Sequence, residues 1–130
     1  NERLMKTSIF FLLFLVSVTG FSQNIIREAI KASNLKEIAY NLGLEPGSKQ
    51  TIPTKFVVEK DGTLTQIEAT SAYPALNEEA VQILKGVGKL VPREVRGEYV
   101  IQQISLPMVF YVETQEQRKL RLRKEARRKG

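Results

Sequence analysis

The stretch Tyr99–Val112, YVIQQISLPMVFYV, constrains this chain more than any other. Its even positions Val100, Ile104, Leu106, Met108, Phe110 and Val112 are apolar, with Gln102 alone interrupting them. The odd positions, from Ile101 and Gln103 to Tyr111, are mixed. A period of two over so many residues predicts a long β-strand with one face on a core. Pro107 lies inside it. Proline gives no N–H to a ladder, so such a strand belongs at a sheet edge or carries a bulge. An edge strand with one buried face is also a surface on which another chain can add.

The chain has 130 residues, enough for one domain with a real core. It contains no cysteine and no histidine. Disulfides, thiolate metal sites and thiol nucleophiles are thereby excluded, as are the commonest general base and metal ligand. No adjacent acids converge on one face: Glu78 and Glu79 are neighbours, and neighbours on a helix diverge. The expectation is a non-catalytic protein without cofactor or metal.

The net charge of +6 is unevenly placed. Residues 23–112 hold ten basic and ten acidic side chains, which cancel; residues 113–130 hold eight basic and three acidic. The folded part is therefore neutral and the tail basic, which argues against a nucleic-acid-binding domain. The tail has good helix formers but no continuous apolar stripe, so it reads as a solvated, partly helical or disordered segment. The partner it suggests is an anionic membrane surface, contacted weakly.

Residues 1–22 predict a secretory signal peptide: Lys6, the apolar run Ile9–Val18, then small residues at Gly20 and Ser22. Asn1–Leu4 lie upstream of Met5, the natural start of such a leader. The apolar run is short of the ~20 residues that span a bilayer. The leader is expected to take the chain out of the cytoplasm, with inner-membrane anchoring as the alternative if the leader is not cleaved. Residues 23–47 form an N-terminal helical segment, apolar at 26, 30, 35, 38, 39 and 42. Ser33-Asn34 is a candidate interruption, with Asn34 capping a second helix and Gly43 ending it.

Residues 48–112 form the domain proper. Thr51–Glu59 and Thr63–Thr70 are β-rich runs around Lys60-Asp61-Gly62, a hairpin signal. Leu64 falls out of phase with Ile67 and Ala69, which calls for a bulge or a covered second face. Asn77 is placed to cap a helix over 77–84, with Glu78 and Glu79 at its positive end. Leu90–Gly97 reads as a loop into the long strand. Phe56, Leu84 and Phe110 are expected core residues.

Four phrases in this order carry a resemblance: FVVEKDGTLTQIEA (56–69), PALNEEAVQIL (74–84), KLVPREVRGEYV (89–100) and ISLPMVF (104–110). Together they resemble the C-terminal domain of TonB-type energy transducers, over about sixty residues. The resemblance implies an α+β fold: a small three-stranded antiparallel sheet packed by helices, here preceded by an N-terminal helix. It implies a periplasmic protein-interaction module linked to transmembrane transport. Its partner would be an extended peptide, such as the TonB box of an outer-membrane receptor, added beside the last strand. The implied peptide-binding edge is Val100, Ile101, Gln102, Gln103, Ile104 and Ser105, before Pro107. A homodimer through the same sheet edge is the competing use of it. The alternative reading is a structural or envelope-binding protein whose basic tail attaches to anionic surfaces without transport coupling. The family's anchor histidine and proline-rich spacer have no counterpart here, so the expectation concerns binding more than driven transport.

Overall fold

The computed structural model describes residues 21–129. The expected leader falls almost wholly outside this range. Helix α1 (Phe21–Lys31) and helix α2 (Leu35–Asn41) lead into strands β1 (Lys49–Val58) and β2 (Leu64–Ala69). Helix α3 (Pro74–Gly86) follows, then the short strands β3 (Arg93–Val95) and β4 (Glu98–Val100), strand β5 (Gln102–Tyr111) and helix α4 (Gln115–Lys129). The main sheet is antiparallel in the order β2-β1-β5, and β3 and β4 pair separately. This is the α+β architecture with a three-stranded antiparallel sheet that the sequence predicts.

The core follows from strand periodicity. In β1 the side chains of Ile52, Thr54, Phe56 and Val58 are buried, and in β5 those of Ile104, Met108 and Phe110. Lys49, Thr51, Pro53 and Lys55 point to the opposite face and are exposed. Helix α3 packs on β1 and β2 through Leu76, Ala80, Ile83 and Leu84, and α2 packs on α3 and β5. The helices thus cover one face of the sheet, and the other meets solvent. The phase problem of Leu64 is solved by a bulge. Lys55 faces Glu68 while Val57 faces Thr65, so β2 carries one extra residue there. Gln66 takes up the slack at φ 51°, which returns Leu64 to the core face opposite Val58.

The structure departs from expectation at four places. Residues 99–112 are not one strand. Tyr99 and Val100 belong to β4, which pairs with β3, and Ile101 lies between β4 and β5. Leu90–Gly97 is accordingly not all loop, because Arg96 (φ 53°) and Gly97 (φ 83°) form the two-residue turn of a small hairpin. Helix α3 begins at Pro74, not at Asn77. Proline fits the first helical position, where its missing N–H goes unused. Asn77 instead donates to the Ser71 carbonyl at 3.2 Å and accepts from the Ser71 hydroxyl at 2.6 Å. Glu78 and Glu79 then sit beyond the first turn. The two-helix alternative for residues 24–42 holds, but Asn34 makes no side-chain cap. Its N–H donates to Glu79 Oε2 at 2.9 Å, so a carboxylate on α3 serves the start of α2. Finally, the tail, expected to be partly helical or disordered, is helical throughout Gln115–Lys129 as α4.

Candidate docking edge

Strand β5 ends the sheet order, so one of its backbone edges pairs with no strand among the described residues. Which residues offer groups to that edge is fixed by two prolines. Pro53 and Pro107 stand opposite each other in the register. Neither has an N–H, so their backbones must turn away from the β1–β5 ladder. The Pro53 carbonyl indeed accepts from Thr70 N–H at 3.0 Å, on the β2 side. At the other end of the ladder Val112 turns inward. Its N–H donates to the Ser48 carbonyl at 2.8 Å, and its carbonyl accepts from Gly47 N–H at 2.9 Å. Alternation then assigns the even residues of β5 to β1 and the odd residues to the open edge. The edge offers the carbonyls of Gln103, Ser105, Pro107, Val109 and Tyr111, and the amides of all these but Pro107.

The six edge residues expected from the sequence divide under this geometry. Gln103 and Ser105 turn their backbones outward and their side chains to solvent. Gln102 and Ile104 face the core and spend their backbones on β1. Val100 pairs with Arg93 in the separate hairpin, and Ile101 lies outside either strand, half exposed. The expected stretch therefore contributes two outward residues rather than six.

The sequence reading missed the other half of the edge. Beyond Pro107, β5 runs beside α1 along a groove of about 490 Å³. Ile26 and Ile30 of α1 meet Leu106, Pro107 and Phe110 across it, and Val109 and Tyr111 stand on its β5 side. Arg27 and Lys31 of α1 and Lys36 of α2 complete the lining, so the rim is cationic. Val109 is 41% and Tyr111 57% exposed, large apolar surface for an edge strand. The signal for this half was present in the sequence: Val109 and Tyr111 are the two apolar residues on the otherwise mixed odd face after Pro107. Among the described residues no group of three or more Asp or Glu side chains converges where a metal could be held. No described helix is long and apolar enough to cross a membrane.

No family model matches this chain, and no curated protein matches it. A solved structure does. The NMR solution structure of the TonB C-terminal domain from Helicobacter pylori aligns with 83% of this chain and 92% of its own length. The TM-score is 0.50 and the sequence identity 16%. The chain has a TonB C-terminal-domain-like fold. At that identity the likeness concerns architecture alone.

Proposed function

We propose that this chain is a non-catalytic, periplasmic interaction module that takes an extended peptide as an added strand along the open edge of β5. The peptide would come from an envelope protein, such as the TonB box of an outer-membrane receptor, in the service of transport. The observation that carries the reading is the edge itself. It has outward amides at Gln103, Ser105, Val109 and Tyr111, and an apolar groove beside its second half. The fold likeness supports it, and the leader-like sequence of residues 5–22 supports the location. Main-chain pairing would supply affinity, and the alternate side chains of the peptide would read the groove.

The test uses the proline logic of the edge. Titration with receptor N-terminal peptides should shift the amide resonances of Gln103, Ser105, Val109 and Tyr111 more than those of the even residues. Val109→Pro removes an outward N–H that the β1 ladder does not use. It should leave the fold intact, as Pro107 does, and weaken peptide binding about tenfold, the worth of one or two backbone hydrogen bonds. Unshifted odd amides at millimolar peptide would rule the reading out.

A further inference from the structure

Helix α4 carries eight basic and two acidic side chains, a net of +6 that equals the net charge of the entire chain. The charges of the remainder cancel, so the net charge of the molecule resides in one helix. That helix is not a loose tail. Thr114 and Gln117 form a capping box: Thr114 N–H donates to Gln117 Oε1 at 3.0 Å, and Gln117 N–H donates to Thr114 Oγ1 at 3.1 Å. Two of the arginines then anchor it. Arg121 donates twice to the buried Glu113 carboxylate, at 2.8 and 3.2 Å, and lies 3.2 Å from Glu37 of α2. Arg118 lies over the Tyr40 ring at 4.8 Å. Because α4 is held on the side of Arg118 and Arg121, Lys119, Arg123 and Arg127, on the opposite side of the helix, face away from that seat.

Those cations form ordered rows. Lys119, Arg123 and Arg127 follow at i, i+4 and i+8, spanning about 12 Å of helix. Exposed Leu120 begins the adjacent i, i+4, i+8 row, which Lys124 and Arg128 continue. None of these five cations enters an ion pair among the described residues. We propose that this face of α4 attaches the domain to an anionic lipid bilayer. Cation rows of this length match a plane of headgroup phosphates, and an aliphatic side chain among them can enter the headgroup layer, for which a nucleic acid has no use. The attachment is electrostatic, because α4 lacks the continuous apolar face of an inserting helix. It is independent of peptide docking at β5.

The test is co-sedimentation of the full chain with phosphatidylcholine vesicles, with and without about one-third phosphatidylglycerol. The apolar run at residues 9–18 is common to all variants, so the preference for anionic over neutral vesicles reports α4. Wild type should prefer anionic vesicles. The triple variant Lys119→Gln, Arg123→Gln and Arg127→Gln should lose that preference by roughly 100-fold, and salt at about 0.5 M should abolish it in wild type. Glutamine is a good helix former, so the variant should keep the far-ultraviolet circular dichroism of wild type. An equal preference in both proteins, a preference insensitive to salt, or retention on duplex DNA without vesicle binding would overturn the proposal.

Discussion

Gln102 is the residue that breaks the apolar alternation of the last strand, and the structure shows the cost. It occupies a core position at the start of β5, opposite Val58, and is 8% exposed. Its amide nitrogen is buried and meets no acceptor among the described residues. A buried donor without a partner costs about 1–3 kcal/mol of desolvation, whereas an apolar side chain of the same length costs nothing of the kind. Gln102→Met should therefore raise unfolding stability by about 1 kcal/mol, read from the midpoint of a urea curve at unchanged slope. A loss of stability would mean that the amide serves the fold in a way the geometry does not show. Polar at a core position, Gln102 is the sort of local inconsistency that natural sequences keep where a constraint other than stability acts.

Between elements, the turn after β1 does more than reverse the chain. Gly62 has φ 90°, and its N–H donates to the Glu59 carbonyl at 2.9 Å. Asp61 accepts from Thr63 N–H at 2.9 Å, and that bond holds its carboxyl below its usual value. The Gly62 carbonyl accepts from Leu90 N–H at 2.9 Å, so the turn is fastened to the connection that leads into β3. A Cβ on Gly62 would stand 2.2 Å from the Leu90 carbonyl oxygen, which is backbone and cannot swing aside. Gly62→Ala should cost roughly 3 kcal/mol, the sum of a left-handed conformation and a forced displacement in the core. Circular dichroism melts check this, and a cost under about 1 kcal/mol would mean that the junction is loose. The sequence announced the turn through Asp-Gly but not its second bond, because Leu90 is remote in sequence. The same boundary between local and remote signals separates the other features. Alternation revealed β1, β5 and their core face, and the misphased Leu64 left a bulge or a covered second face, of which the register shows the bulge. Alternation also ran straight through Ile101, where no glycine or proline marks the change of partner from β3 to β1. The hairpin turn was obscured because arginine, not asparagine, holds the first positive-φ position. The open edge of β5 was legible as a strand but not as a parity: only the register opposing Pro53 to Pro107 separates outward residues from inward ones.

At the scale of the molecule, α4 is joined to the domain by charge. The absence of an apolar stripe suggested a solvated, partly helical or disordered tail; the helical alternative holds with no residue of α4 buried, and what the missing stripe did not suggest is the polar seat that Glu113, Glu37 and Tyr40 supply for Arg121 and Arg118. Thr114-x-x-Gln117 was the legible sign of a helix start. Glu113 is the centre of the seat, 5% exposed. The hydrogen bonds from Arg121, with the charges of Arg121 and Arg118, hold its carboxyl below the usual value of 4.5 against the opposing effect of burial. A carboxylate whose folded value is depressed stabilises the fold fully above its unfolded value. That contribution is lost as pH falls through the folded value. Glu113→Gln keeps the shape and removes the charge. It should cost about 2 kcal/mol at pH 7, the worth of hydrogen bonds between charged groups, with Glu37 and Glu125 still near Arg121. The difference from wild type should persist at and above the usual value of 4.5 and disappear as pH falls through the depressed folded value, because wild type then protonates the same carboxylate. Paired urea curves at several pH values check the sign. A difference that stays constant from neutral pH into acid would place the stabilisation in packing at residue 113 and not in its charge, and α4 would then be seated by something other than its arginines.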